Sequence, residues 1–519
     1  MLRARIASGG RMPLLPLKGR SLASLLGLAA VAAALAQLML GASLPAVGFA
    51  LLATMFGLLG FAALGAYNLG SWVALFYALG NVLVALYAKT LLGQSLDSNL
   101  YAPEGSFLAL AATSGELFAA LLLVRRFGVG RPVLKPVCDP HFLAYFSWAC
   151  FALGVLFWIL NRYFEDPGGS GFGGVSMFGD LLFMAVIART AALLEKSGNR
   201  RAFDGRLGAI IAVATVLGLL ANSKTGAALP VLSHFVTVLF FRRGLPLRSI
   251  TILAAGALLF GAVVAPTVHA LRAMGQQELS INERIDFVVS NFTAVFENPE
   301  QFDRLERLAA GQFENGYYNY FGGNGAGQML LGRYASVQQI DPVIAEVNRS
   351  RPWGGEAVWP AFARLAPSFI YPNKPKYTEA YTTLVHFGLV DPEGGKFPTL
   401  PLAGQAYAAY GVWGLLTIPF LTFLGLLLVM KKLGWQLYRN IYAIFFLCDF
   451  VVVYVSQGDF GQYAGASLRG FPLFAALFWA IGKSYPIRLR KRRRRHTALI
   501  PTAPASLGTS TSEAKGGVS

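Results

Sequence analysis

Charge is scarce in this chain. Of its 519 residues only 13% are Asp, Glu, Lys or Arg, where a water-soluble domain carries about 25%. A chain so poor in charge cannot cover a hydrated surface, and 55% hydrophobic residues with a mean hydropathy of +0.52 make it an integral membrane protein. Cysteine is scarce too. Cys138 stands beside a basic loop, Cys150 and Cys448 lie inside apolar stretches, and three residues so placed exclude a disulfide framework. CxxC pairs, zinc-type clusters, the GxxxxGK[ST] phosphate loop and a nucleotide-binding strand–turn–helix are all missing, so no cofactor is expected.

Acidic residues are fewer than basic ones, and the net charge is +18. Its distribution argues against nucleic acid as a partner. Much of the excess falls at the ends of apolar runs and in the tail Arg488, Arg490, Lys491, Arg492, Arg493, Arg494, Arg495. Runs of this kind beside a membrane set topology and attract anionic lipid headgroups. The last stretch, Thr497 to Ser519, is rich in Thr, Ser, Ala and Gly and is expected to be disordered.

What the chain has in abundance is apolar runs long enough to span a bilayer, which takes about 20 residues each. About twelve are expected: Ser21–Leu40, Pro45–Tyr67, Ser71–Leu91, Ser106–Val124, Phe142–Leu160, Val175–Leu194, Leu207–Ala221, Ala227–Phe241, Ser249–Leu271, Leu402–Met430, Ile441–Val455 and Gly465–Ile481. The first follows Arg3, Arg5, Arg11, Lys18 and Arg20, as a signal peptide would, but it is longer than a signal's apolar core and further spans follow at once. An uncleaved first span is expected. The basic connections at Arg125–Lys135, Lys196–Arg206, Arg242–Arg248 and Lys431–Arg439, and the Arg-rich tail, then all fall on the side of the N-terminus. The opposite connections carry Asp97, Glu104, Glu165 and Asp166.

The expected fold is therefore an all-α polytopic membrane protein with about 12 transmembrane helices and one large extracytoplasmic loop containing short helices. Its parts are a basic cytoplasmic N-terminus (1–20), nine spans (21–271), the loop (272–401), three spans (402–482) and a basic, then disordered, cytoplasmic tail (483–519).

A loop of about 130 residues is far beyond the length at which structureless loops become rare, so it should be ordered. Helical spacing is visible over Ile281–Ala310, a second amphipathic helix is expected over Gly327–Ile340, and Ala357–Ile370 reads as helix fragments lying on the membrane surface. Cations (Arg333, Arg349, Arg351, Arg364, Lys374, Lys376) alternate with Tyr317, Tyr318, Tyr320, Trp353, Trp359, Tyr371 and Tyr377. Cations suit phosphate and flat rings suit sugars. The same residues would equally serve as headgroup ligands and as an interfacial aromatic belt. Lys224, in Asn222-Ser223-Lys224-Thr225-Gly226, is a cation at the outer end of a tight hairpin. It either snorkels into the headgroups or is a fixed charge beside the bilayer. The ionisable groups noted within spans are Glu116, Asp180, Arg189, His234 and Asp449. Structural polar contacts are the favoured reading for most of them, and Asp180 and Arg189 are too far apart on one helix to pair.

Three stretches carry a family resemblance. Ala366-Pro367-Ser368-Phe369-Ile370-Tyr371-Pro372-Asn373-Lys374-Pro375, Leu402-Ala403-Gly404-Gln405-Ala406-Tyr407-Ala408-Ala409-Tyr410-Gly411-Val412-Trp413-Gly414 and Asn222-Ser223-Lys224-Thr225-Gly226 resemble motifs of the bacterial oligosaccharide repeat-unit polymerases, the O-antigen polymerase (Wzy) type. Ser368 stands where that pattern has an arginine; Arg364 lies one helical turn earlier. The resemblance implies a metal-independent glycosyltransferase of the bacterial inner membrane, with both termini cytoplasmic and the loop periplasmic. Its substrate would be an undecaprenyl diphosphate-linked oligosaccharide, polymerised into O-antigen, capsule or exopolysaccharide. A chain-length regulator and a flippase of the same pathway are the partners it implies, besides membrane lipids.

Such a reaction needs cations for the leaving diphosphate, a base for the attacking hydroxyl and aromatic faces for sugar rings. The candidates are Lys224, Arg349, Arg351, Arg364 and Lys374 for the diphosphate; Glu356, with His386 and Asp391 behind it, for the base; and Trp353, Trp359 and Tyr371 for sugars. A glycan ligase would share the leaving group and most of the architecture. A transporter or flippase of lipid-linked glycans would suit the span number, but no internal repeat is visible.

Overall fold

An amide left bare in hydrocarbon has no water to bond, so an apolar run that crosses a bilayer closes its hydrogen bonds on itself as a helix. The computed structural model describes residues 14–16, 19–163, 176–221, 223–259, 286, 290, 320–322, 335–366, 371, 374–375, 377–390, 399–455 and 457–485. Among these, nine helices are long and apolar enough to cross a membrane. They are α1 (Gly19–Met39), α2 (Leu44–Leu64), α3 (Leu69–Leu91), α4 (Pro103–Arg126), α5 (Pro140–Tyr163), α6 (Leu181–Lys196, with a 3-10 turn Ser176–Asp180 before it), α8 (Lys224–Arg242), α13 (Leu402–Leu433) and α15 (Phe460–Ser484). Two shorter apolar helices, α7 (Gly205–Leu220) and α14 (Ile441–Tyr454), stand where two more spans are expected. The ninth expected span begins as α9 (Leu247–Leu259); residues 260–271 lie outside the described residues. The chain is a polytopic, all-helical membrane protein. A three-residue antiparallel ladder, β1 (Leu14–Pro16) with β2 (Gly244–Pro246), departs from that pattern.

Burial sorts the helices. In α3 the most apolar window is 78% buried against other protein, while in α1 and α5 it is 28%, so α3 is central and the other two face lipid. Small residues let the backbones close: a Cβ on Gly57 of α2 would fall 2.4 Å from the Ala78 methyl of α3. At the other side an aromatic cluster joins α5, α14 and α15, with Phe445 and Phe474 ring centroids 4.8 Å apart. Among the described residues three π-helical turns interrupt the apolar helices, at Leu79–Leu83, Leu447–Val451 and Ala466–Gly470.

The loops divide into two sets that touch only within their set among the contacts described here. At one end Leu437 N–H donates to Tyr67 O (2.8 Å) and Val133 N–H to Lys432 O (2.9 Å). There too Lys431 Nζ reaches Val124 O (2.7 Å), Arg242 reaches Arg200 O (3.0 Å), and Arg439 grips Glu195 through both oxygens. These are the basic connections. At the opposite end Ser43 N–H donates to Asp97 (2.7 Å), Gln94 to Phe321 O (3.0 Å), and Leu402 N–H to Gly458 O (2.9 Å).

That opposite end carries the described part of the large loop: α10 (Val337–Arg349), a 3-10 turn Gly355–Ala357, α11 (Pro360–Leu365) and α12 (Glu379–His386). Of the second amphipathic helix expected over Gly327–Ile340, residues 327–334 lie outside the described residues, and α10 is the helix described at its end. It begins at Val337, and its buried stripe of Val337, Ile340, Ile344 and Val347 runs beyond Ile340 onto α13 and α4. Gln338, Gln339 and Asp341 are buried as well, which blurs the periodicity in the sequence. The expected helix over Ile281–Ala310 lies outside the described residues except for Asp286 and Ser290.

Two buried polar groups tie the loop down. Asp341 accepts from Tyr101 N–H (2.6 Å), Ala102 N–H (2.9 Å) and Ser106 Oγ (2.9 Å). It therefore fixes the chain entering α4, where a negative charge also suits the helix dipole. Lys89, with no exposed surface, donates to Ser98 Oγ (2.8 Å) and stands over the Tyr320 ring at 4.2 Å.

Candidate functional site

The expected tenth span is two helices rather than one. Inside α13, Tyr410 (φ −140°, ψ 25°) and Gly411 (φ 58°, ψ −136°) leave the helical region. Gly411 has the backbone that only glycine adopts without strain. A break of this kind strands carbonyls, and the large loop satisfies them: Trp353 N–H donates to Ala408 O and Gly354 N–H to Ala409 O, each at 2.8 Å. Gln405 completes the junction. Its Nε2 donates to Ala357 O (2.6 Å) and its Oε1 accepts from Phe460 N–H (2.7 Å), joining the loop to the start of α15.

Beside this junction lies a cleft of about 490 Å³ lined by Glu346, Ser350, Arg351, Pro352, Trp353, His386 and Phe387. The Trp353 indole and the His386 imidazole form one wall, stacked with centroids 4.4 Å apart and planes 15° from parallel. Arg351 is exposed at its edge. Arg349 turns back to Glu346 at 3.4 Å, a loose and exposed pair that contributes little. A cleft with a flat aromatic wall, a guanidinium and a carboxylate matches the two faces of a sugar, apolar on its ring hydrogens and polar at its hydroxyls.

A second cluster lies where α11, α12 and α15 meet. Arg364 Nη1 donates to both carboxylate oxygens of Glu379 at 3.2 Å. The Glu379 side chain has 0% exposure and Arg364 33%, so the arginine is the lid over the acid. The acid fits because residue 461 is glycine: a Cβ there would fall 2.6 Å from Glu379 Oε2. Burial pushes the Glu379 carboxyl above its usual range; Arg364 opposes that and Asp459 adds to it. Asp459, buried, caps α15 by accepting from Gln462 N–H (2.7 Å), and burial lifts its carboxyl as well. Lys374 Nζ donates to Arg364 O at 3.2 Å, and burial with the nearby Arg469 and Arg364 charges lowers its pKa. Arg364 alone meets the acids, while Lys374 lies on its far side within reach of the Arg364 and Arg469 charges, so three cations gather beside one ion pair. Chemically the cluster suits an anion with several oxygens, Arg as a planar fork and Lys as a point charge.

The structure brings together some of the residues singled out from sequence and separates others. Arg351, Trp353 and His386 share the cleft, and Arg364 and Lys374 share the cluster. Glu356 is exposed on the 3-10 turn, outside the cleft lining. Trp359 is 62% and Tyr371 44% exposed, Trp359 leaning on Phe362 at 5.4 Å. Lys224 opens α8 behind the Ser223 cap, whose Oγ accepts from Gly226 N–H (2.9 Å); α8 packs on α6 and α7. Asp391, and with it Arg333 and Lys376, lies outside the described residues.

Within the spans, Arg189 pairs with Asp204, His234 Nδ1 meets Thr190 Oγ1 (3.0 Å), and the side chains of Asp180 and Asp449 bond to each other. Sequence reasoning missed Glu379, Asp459 and Arg469. The signal for Arg469 was present, since it is an arginine inside an expected span. Glu379 had no such signal, because its burial follows from Gly461, 82 positions away in the chain.

Comparisons of the chain with protein-family models, with curated proteins and with solved structures return no match.

Proposed function

We propose that this protein joins oligosaccharide units carried on a polyprenyl diphosphate, at the membrane face opposite the basic loops, as a polymerase of surface polysaccharide. The observation that carries the reading is the cationic cluster of Arg364, Lys374 and Arg469. Arg469 stands within a span, near enough for its charge to act on Lys374, and a diphosphate whose lipid tail lies in the bilayer would present its charge at that depth. The cleft beside Trp353 and His386 is then the place for the sugars.

In the reaction, a hydroxyl of one unit attacks the anomeric carbon of the other, the bond from that carbon to the diphosphate oxygen breaks, and the electron pair leaves with the diphosphate. Cations that gain strength as this charge develops lower the barrier. Loss of one charged hydrogen bond of about 1.5–3 kcal/mol slows such a step roughly ten- to a hundred-fold. On this reading the positive-inside rule has the basic loops and both termini in the cytosol and the large loop outside, which in the bacterial inner membrane that the resemblance implies is the periplasm.

The test is extension of lipid diphosphate-linked repeat units by purified protein, without nucleotide or added divalent metal. Arg469→Gln and Lys374→Gln should shorten the products at equal protein levels. Unextended units moved intact across vesicles would identify a transporter instead, and transfer of a finished chain to a different acceptor a ligase.

A further inference from the structure

Resting on that reading, we propose that Glu379 takes the proton from the attacking hydroxyl, and that Arg364 decides when it can. In the described arrangement Glu379 is a carboxylate held at 3.2 Å through both oxygens by one guanidinium and shut away from solvent by it. So paired, it is a poor base. Arg364 also belongs to the cationic cluster, and it holds Glu379 through Nη1 alone, so an anion that takes the two N–H of Nη1 takes them from Glu379. When a diphosphate takes Arg364, Glu379 is left in its buried niche against Gly461 without its counter-charge. An unpaired buried carboxylate is strongly basic.

The same movement uncovers Glu379 on the side from which Arg364 withdraws, and a hydroxyl entering there meets a base already activated. The hydroxyl proton passes to a Glu379 oxygen, the freed oxygen forms the bond to the anomeric carbon, and the bond from that carbon to the diphosphate oxygen breaks. Release of the diphosphate returns Arg364 to Glu379 and expels the proton to water. Donor binding thus arms the base, and without a bound diphosphate the base stays quenched.

The other ionisable groups around Glu379 do not substitute for Arg364. Asp459 carries the wrong sign and is committed to its cap, Lys374 donates to the Arg364 carbonyl, Glu356 on the neighbouring turn is exposed, and His386 at the far end of α12 is stacked on Trp353.

The experiment is calorimetric titration of the full-length detergent-solubilised protein with farnesyl diphosphate near neutral pH, in buffers of different ionisation enthalpy. Farnesyl diphosphate brings no acceptor hydroxyl, so the freed Glu379 draws its proton from solvent instead, and wild type should take up about one proton more per bound farnesyl diphosphate than Glu379→Gln. Lys374→Gln should bind more weakly yet keep the uptake. Arg364→Gln, in which Glu379 is protonated beforehand, should lose it, so the proposal stays testable if Glu379→Gln does not fold. In extension assays Glu379→Asp should recover part of the rate that Glu379→Gln loses. Equal proton uptake by wild type and the Glu379 and Arg364 variants would overturn the gating of Glu379 while leaving the anion site intact. No binding of farnesyl diphosphate by wild type would overturn the anion site itself, and this inference with it.

Discussion

The Trp353 indole lies flat on the His386 imidazole, ring centroids 4.4 Å apart, although the two residues sit on separate segments of the loop. Trp353 is fixed by its backbone bond to Ala408 and His386 by the last turn of α12. The stack therefore joins the segment that seals the break in α13 to the helix that begins with Glu379.

A stacked aromatic pair is worth about 0.5–1.5 kcal/mol beyond its buried area. Trp353→Phe keeps a ring over His386 and should retain most of the extension rate. Trp353→Ala should lower it several-fold and weaken competition by free acceptor oligosaccharide. An unchanged inhibition constant in Trp353→Ala would remove the indole from the sugar path.

Asp341 holds the loop against the start of α4 through three hydrogen bonds at a buried carboxylate. Bonds to a charged group contribute about 1.5–3 kcal/mol, and truncation also strands their donors. Asp341→Ala should lower the melting temperature in detergent and open the loop to limited proteolysis at the face opposite the basic loops. Asp341→Asn, which retains an acceptor oxygen, should fall between the two. Proteolysis rates in Asp341→Ala matching wild type would show that other contacts suffice to seat the loop.

At the other end of the bundle, Asp204 caps α7 and pairs with Arg189. Burial alone would raise its carboxyl, but the hydrogen bonds from Arg189 and Leu207 N–H and the Arg189 and Arg206 charges outweigh that and hold it below the usual range. A depressed acid stabilises the fold fully above its unfolded pKa of about 3.9, and that contribution fades as pH falls through the lower folded value. Thermal melts of wild type and Asp204→Asn should therefore differ at neutral pH and converge in strong acid. A difference that stays constant from neutral to acid pH would mean that the Asp204 charge does not stabilise the fold.

The membrane class and the places of the nine long apolar helices were legible because they rest on a local quantity, a run of apolar residues. The sorting of Lys431, Arg242 and Arg439 to one end and Asp97 and Asp341 to the other follows the same logic. The break at Gly411 was not legible, because the stretch around it is apolar and a glycine in such a run usually serves packing. The candidate site was half legible. Arg364 and Lys374 stand out as charges in a loop, but their partner Glu379 is chosen by burial against Gly461, which no local pattern encodes. Glu356 attracts notice in the sequence because it sits among aromatics, yet its turn points it to solvent.

The break in α13 also bears on how the chain is made. Ala408 and Ala409 surrender their carbonyls to Trp353 and Gly354, residues synthesised before α13 itself. Until the loop docks, those carbonyls have no protein partner, so the top of α13 cannot be completed by insertion alone. Biogenesis then has an order: the loop segment is made first, α13 follows it, and the two finish each other where they meet. A lesion in the short stretch around Trp353 would in consequence register as a membrane-insertion defect, far from where an assembly fault in the tenth span would ordinarily be sought.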